Sequence, residues 1–220
     1  MTLSSQLLQF SLFQGMSPAD LMEVAGHTKL DFLKLPAGKP VVNDGDPCQR
    51  LLLLTHGTLL SDTASDDHTC HVREQLNAPY ILQPLHLFGL NQRHTTTFRT
   101  YSPCNLIAID KQELLLLLDT QLVFRLNYLN LLATEAQRLH HQSWRSAPKS
   151  LRERIIRFFF SRCLYPAGPK TFLIHMQHIA DALNDSRLDI SRALNAMQDD
   201  NLITLHRGRI GIPLLERLLM

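Results

Sequence analysis

No C-x-x-C pair occurs among the four cysteines; Cys48, Cys70, Cys104 and Cys163 stand scattered along the 220-residue chain. That spacing excludes a zinc ribbon and a thiolate-held iron–sulfur cluster as readings of the sequence. The longest aliphatic run, Leu114–Leu118, is far short of the roughly 20 residues a membrane span needs. The opening MTLSSQLLQF has no basic stretch leading into an apolar one, so no export signal is expected. Scattered thiols without an export signal imply reduced cysteines in a cytoplasmic protein that does not engage a membrane. Gly-rich phosphate loops, nucleophile elbows and paired-carboxylate motifs are absent, so no catalytic residues and no enzymatic activity are expected. Eleven histidines invite a metal site, but a surface or packing role is the favoured reading. His68 and His71 flank Cys70 after an acidic turn, in what reads as a strand connection. His140 and His141 point about 100° apart on a helix. No metal site is expected.

What is present is unevenly distributed. Residues 149–220 hold 11 Lys/Arg against 7 Asp/Glu, although the whole chain carries a net charge of only +2. A local basic excess is the electrostatic footprint expected of a phosphate-binding segment.

That segment contains IHMQHIADALNDSRLDISRALNAMQDDNLI, residues 174–203. Ile179, Ala182 and Leu183 give a first short helix one buried stripe. Ile190, Ala193, Leu194 and Met197 give a second helix another, at i, i+3, i+4 and i+7. Asn184-Asp185-Ser186 breaks the periodicity between them. Ser186 with Asp189 forms a Ser-x-x-Asp capping-box pattern. Arg187, Asp189, Ser191 and Arg192 then lie at the exposed opening of the second helix, where a helix-turn-helix presents its base and phosphate contacts. Asp189 serves either the cap or a base. Beyond it, Thr204–Ile212 alternates around a Gly-containing turn and reads as a hairpin with Arg207 and Arg209 at its tip. Those arginines suit a wing lying along a phosphate backbone, or they decorate a solvated turn.

Upstream, Leu33–Ile109 alternates short apolar runs with turn clusters: Lys34-Leu35, Pro40–Val42, Leu51–Leu54, Thr58–Leu60, Tyr80–Leu82, Thr95–Arg99 and Leu106–Ile109. The pattern predicts an all-β sandwich or barrel, preceded by a small helix capped by Ser17-Pro18. Asp110-x-x-Glu113 then opens about 30 residues free of Gly and Pro, read as one rod of about 45 Å. Leu115, Leu118, Leu122, Leu126, Leu129, Ala133, Ala136 and His140 recur along it as a heptad seam. Leu116, Leu117, Phe124, Leu131 and Leu132 lie off the seam. The rod either packs across its own barrel or uses that second face for the barrel and the seam for a second copy; dimerisation is the favoured reading. Ser143–Lys149, with Pro148, reads as a hinge, and Ser150–Leu164 as the first helix of the next domain.

This order of parts resembles the Crp/Fnr family of bacterial transcription regulators. The resemblance is carried by Leu12-Phe13-Gln14-Gly15-Met16-Ser17, Pro36-Ala37-Gly38, Asn43-Asp44-Gly45-Asp46-Pro47, His56-Gly57, Ser150-Leu151-Arg152-Glu153-Arg154 and Ser186-Arg187-x-x-Ile190-Ser191-Arg192. It implies an α+β fold: a cyclic-nucleotide-binding-like β-roll (1–110), a long dimerisation helix and hinge (111–145) and a winged helix-turn-helix (146–220). It also implies a cytoplasmic homodimer on double-stranded promoter DNA, with RNA polymerase as a further partner. By resemblance Arg187 and Arg192 match the two arginines of the DNA-reading helix, and Gln177 and Ser186 match phosphate contacts. Leu188 replaces the family's glutamate there, so the half-site read should differ.

The effector cassette departs from that of cyclic-AMP binders. Gly89-Leu90 lacks the glutamate that meets the ribose, and His94-Thr95 stands where Arg-Ser clamps the phosphate. Leu139 and His140 occupy the positions that meet adenine. Losing the arginine removes a charge-assisted clamp, which argues against cyclic AMP. The iron–sulfur sensor pattern is missing, while haem, with His86 or His94 as ligand, stays open. Two functions follow: a dimeric DNA-binding regulator, or a ligand-sensing or protein-interaction module without specific DNA binding.

Overall fold

The computed structural model describes residues 2–142, 144 and 146–219. Its contacts sort the chain into two units: Met1–Leu59 with Asn77–Thr95 and Arg99–Arg145, and Leu60–Leu76 with Thr96–Phe98 and Ser146–Met220. This differs from a linear division at residues 110 and 145, because residues 60–76 and 96–98 group with the C-terminal part. The expected hinge at Ser143–Lys149 includes Ser143 and Arg145, which lie outside the described residues.

The first unit opens with α1 (Leu3–Leu7) and α2 (Pro18–His27). Ser17 caps α2 as expected: its side chain accepts from Asp20 N, and Asp20 accepts from Ser17 N, with Pro18 in the first turn. Strands follow at β1 (Leu30–Leu35), β2 (Pro40–Val42), β3 (Arg50–His56), β4 (Thr58–Ala64), β5 (Cys70–Asn77), β6 (Tyr80–Leu82), β7 (Thr97–Thr100) and β8 (Cys104–Asp110). The antiparallel order β1-β8-β3-β6 forms one sheet of the roll. Gly57, at φ +94°, turns the chain between β3 and β4 where a Cβ would collide with the Pro103 carbonyl. Leu51, Leu53, Ile107 and Ile109 point into the core with Leu12, Phe13 and Leu87.

The 30 residues after β8 are not one rod. They form α3 (Lys111–Thr120) and α4 (Leu122–Gln142), divided at Gln121, whose backbone is extended (φ −109°, ψ 96°). The cause is a tertiary contact: buried Gln121 donates from Nε2 to Glu23 Oε2 at 3.0 Å on α2. Its N–H closes α3 on Leu117 O, and its carbonyl accepts from Arg125 N to open α4. The Asp110–Glu113 capping box does not form. Asp110 is drawn into an ion pair with Arg50 Nε at 2.7 Å, and Glu113 instead accepts from Lys29 N at 3.1 Å.

Two faces of these helices separate as the apolar pattern requires. Leu114, Leu117, Phe124 and Tyr128 are buried against the roll, with Leu131 and Leu132 partly so. Phe13 and Phe124 meet at 5.1 Å between ring centroids, and Asn127 donates to the Leu12 and Gln14 carbonyls. Leu116, expected on the packed side, is exposed. The seam itself faces outward: Leu115, Leu122, Leu126 and Leu129 are 49, 57, 50 and 54% exposed, Ala133 and Ala136 are exposed, and Leu118 is half-buried.

The second unit adds α5 (Leu151–Ser161), β9 (Lys170–Ile174), α6 (Met176–Leu183), α7 (Arg187–Asp199), β10 (Thr204–His206) and β11 (Arg209–Ile212). Its strands pair in the order β10-β11-β9-β5-β4. The segment read as a connection around Cys70 and His71 is therefore strand β5. His71 sits on its outward side, with Nδ1 3.4 Å from Asp62 Oδ1. Phe159 of α5 packs on Phe172 of β9 at 4.6 Å between centroids, and Ile179, Ile190, Leu194, Met197, Ile210 and Ile212 close the core around them. All four cysteines are buried thiols; burial raises each above the usual thiol pKa, Cys163 to about 12. No helix among the described residues is long and apolar enough to cross a membrane, and no group of three His/Cys/Asp/Glu there could hold a metal ion.

Candidate nucleic-acid interface

Helix α6 buries Ile179 and Ala180, with Leu183 half-buried; Ala182, expected in that stripe, is exposed. Three residues past Ile179 lies on the same broad side, but the core contacts the Ala180 edge of it. The chain leaves α6 through Asn184 in the left-handed region (φ 50°), a conformation that asparagine tolerates better than most residues. Asp185 N then donates back to Ala180 O at 3.0 Å.

Arg154 of α5 fixes this corner. Its Nη1 lies 2.9 Å from Asp185 Oδ2, and its Nη2 donates to the Leu183 carbonyl. The other oxygen of Asp185 accepts from Ser186 N at 2.9 Å. One guanidinium thus holds the last carbonyl of α6 and, through a carboxylate, the residue that caps α7. The sequence shows Arg154 only within the Ser150–Arg154 motif; its partner lies 31 residues away and leaves no local signal.

Ser186 caps α7 as expected, its Oγ accepting from Asp189 N at 3.0 Å. The box closes differently, however. Asp189 Oδ2 accepts from the Ser186 hydroxyl at 2.6 Å, because Ser186 N is already taken by Asp185. Asp189 Oδ1 also meets Arg192 Nη1 at 3.4 Å. Asp189 is thus engaged with the cap and with Arg192. Replacing Ser186 with alanine is expected to cost about 1 kcal/mol and fray the first turn of α7. Denaturant unfolding checks the cost, and an unchanged midpoint would show that another group satisfies that amide.

The outward face of α7 carries Arg187, Leu188, Arg192 and Asn195, with Ser191 half-buried and accepting from Asn195 Nδ2. Leu188 is 59% exposed. Arg187 is exposed, and among the described residues no hydrogen bond or ion pair engages it. Gln177 is exposed near the start of α6, its amide donating to Asp181 Oδ1 at 2.8 Å. Strands β10 and β11 form the expected wing, joined by Arg207 and Gly208 (φ 68°). Gln198 of α7 accepts from Leu205 N at 2.7 Å, and Gly208 O accepts from Ile174 N at 3.1 Å. Arg207 projects at the tip. Arg209 is also exposed but lines a shallow cleft of ≈ 220 Å³ with Arg73, Gln75 and Thr171.

Of the expected effector residues, His94 lines a cleft in the first unit. This open cleft of ≈ 370 Å³ is lined by Leu33, Val41, Leu52, Arg50 and His94 among others, but by none of Gly89, Leu90, Thr95, Leu139 or His140. Leu90 is fully exposed, and Leu139 and His140 are exposed on α4. Buried His94 donates from Nδ1 to Gln83 Oε1 at 2.9 Å, Gln83 donates to Thr95 Oγ1, and Thr95 Oγ1 lies 3.4 Å from His86 Nε2. Burial, reinforced in His94 by the neighbouring His86, holds both imidazoles below the usual histidine pKa and therefore neutral at pH 7.

Residues 153–220 match the family model of the Crp-like helix-turn-helix domain. No curated protein matches the chain. Among solved structures, the catabolite activator protein of Thermus thermophilus is similar at 19% identity and a TM-score of 0.53, over 96% of this chain and 97% of that one. The sensor domain of the transcriptional regulator DNR from Pseudomonas aeruginosa is similar at 21% identity and 0.52, over 67% of this chain and 95% of its own. A protein of Eubacterium rectale assigned to the Crp/Fnr family aligns at 21% identity and 0.50, over 96% and 97%. At these identities the likeness shows the fold. The fold and the order of its parts are thus those of Crp/Fnr-type structures, and residues 153–220 are a Crp-like helix-turn-helix domain.

Proposed function

We propose that the protein is a homodimer that reads a two-fold symmetric site in double-stranded promoter DNA through α7 and the wing. The observation that carries this reading is Arg187: an unpaired guanidinium at the first turn of a capped helix, flanked by Leu188 and Arg192 and backed by Arg207 on the wing. An arginine there can make a bidentate contact with guanine O6/N7, and Leu188 can meet a thymine methyl but cannot accept from cytosine N4. Gln177, Ser186, Ser191 and Arg209 serve as phosphate contacts, and Asp189 stays with the cap. The outward leucine seam of α3 and α4 meets its copy in the dimer, and the two reading helices then face successive turns of one DNA face. The divisions 1–110, 111–145 and 146–220 serve as sensing, dimerising and reading parts, except that residues 60–76 and 96–98 group with the reading part. The dimer works in the cytoplasm beside RNA polymerase, as family resemblance implies.

Cyclic AMP is not its effector in this reading. A cyclic phosphate needs an available cation, and the cleft offers a neutral His94 together with Arg50, whose guanidinium already pairs with Asp110 at 2.7 Å. Repeated selection of duplexes from a random library by the full-length protein tests the DNA reading. Enriched sequences are expected to show two inverted half-sites about 10 base pairs apart, centre to centre. Enrichment without two-fold symmetry, or none at all, would refute it.

A further inference from the structure

We infer that the β4–β5 hairpin, residues 60–76, is a working part of the DNA-binding unit and that Glu74 is the residue positioning the wing through β9. The inference rests on the DNA reading above and places part of the interface machinery outside the helix-turn-helix segment.

Strand β9 carries the wing on one edge, with Arg209 opposite Leu173 and Gly211 opposite Thr171. Its other edge is covered by β5, in register from Cys70 opposite Ile174 to Glu74 opposite Lys170. The inward residues Cys70 and Val72 join the same core as Phe159, Phe172 and Ile174. The turn of the hairpin also reaches α6, where the Thr69 carbonyl accepts from His178 Nδ1 at 3.4 Å. The hairpin therefore supplies the strand beside β9, core side chains and a helix contact to the unit that contains the helix-turn-helix.

Glu74 makes this docking specific. Both Glu74 and Lys170 have side chains 0% exposed, and Lys170 Nζ lies 2.9 Å from Glu74 Oε1. Among the described residues no hydrogen bond engages Lys170 Nζ, so this ion pair is what compensates its buried charge. Glu74 also accepts from two backbone amides after α5, Leu164 N at 2.7 Å and Tyr165 N at 3.1 Å. A buried carboxylate is tolerated only when paired and hydrogen-bonded, and removing one partner strands the rest. Undocking the hairpin would leave without their acceptor an ammonium in the strand that carries the wing and two amides in the segment leading to it. Glu74 thus fixes where β9 runs, and β9 fixes where Arg207 points.

The test uses the full-length protein. Glu74→Gln keeps the side-chain shape and removes the charge. Amide exchange at 170–174 and 204–212 is expected to accelerate at least tenfold, while the central turns of α7 change less than twofold. Affinity is expected to fall about tenfold for selected and scrambled duplexes alike, with a shallower salt dependence. Unchanged wing exchange would overturn the proposal, and so would α7 exchanging in step with the wing, since that is the mark of general destabilisation. A second variant guards against misfolding: His71→Cys with Leu173→Cys, two half-buried residues directly opposite on the outward face of β5 and β9. Opposed strand residues lie within disulfide range. The oxidised form is expected to bind the selected duplex as tightly as the reduced form. Loss of binding on oxidation, restored by reductant, would show that the hairpin must leave for DNA to bind and would overturn the proposal. If wild-type protein fails to distinguish selected from scrambled duplex, the DNA reading falls, while the exchange arm still decides what Glu74 does to the wing.

Discussion

Replacing Leu126 and Leu129 together with glutamate is expected to give a folded monomer whose affinity for a two-half-site duplex falls at least a hundredfold. Both leucines sit on the outward face of α4 and are half or more exposed in the single chain, so their removal leaves no cavity. The helix stays seated, because Phe124 and Tyr128 hold its other face to the roll and Tyr128 OH donates to Pro84 O at 3.0 Å. In the proposed dimer each leucine would contribute about 1.5–3 kcal/mol when buried, and four carboxylates in one seam would add repulsion to that loss. Without the dimer the second half-site no longer binds as a tethered neighbour, an advantage on the order of 10²–10⁴. Sedimentation at micromolar concentration, alongside the binding curve, checks both parts. A variant that stays dimeric would move the interface away from this seam.

Arg187→Ala is expected to cost about 1–3 kcal/mol of discrimination at one base pair of each half-site, while Arg207→Ala weakens all sequences alike. The difference follows from placement. Arg187 opens a helix capped by Ser186 and steadied by Arg154, so its guanidinium is presented from a defined backbone toward base edges. Arg207 stands at a two-residue wing turn, where a charge can neutralise a phosphate but read no base. Competition between the selected duplex and single-base variants measures the first effect; the salt slope of binding, lowered by about one for Arg207→Ala, measures the second. Identical profiles for the two variants would remove this division of roles. Arg192 is expected to show a smaller effect than Arg187, because Asp189 already engages it at 3.4 Å.

The parts of the interface that could be read from sequence are those set by neighbours along the chain. The α7 stripe of Ile190, Leu194 and Met197, the Ser186 cap and the Gly208 wing turn each depend on residues a few positions apart, and each stands as read. The parts that could not be read depend on partners far along the chain. Gln121 breaks the rod only because Glu23 lies beside it, 98 residues earlier. Asp110 abandons its cap because Arg50 competes for it. His71 lies in a strand because β9, about a hundred residues later, pairs with β5. Glu74 and Lys170 look like ordinary surface charges until the fold buries them face to face. The effector cassette lacks the arginine of cyclic-AMP binders, since His94-Thr95 stands in its place. Leu90, Leu139 and His140 are exposed in the single chain, and His94 donates to Gln83, a partner 11 residues earlier that no local pattern announces.

Binding of the full-length protein to its selected duplex, measured beside a duplex with both half-sites scrambled and repeated from about 50 to 200 mM salt, tests the DNA reading most directly. The expected result is a gap of at least a thousandfold between the two duplexes, with both affinities falling steeply as salt rises. Equal affinity for the two duplexes across that range would contradict it.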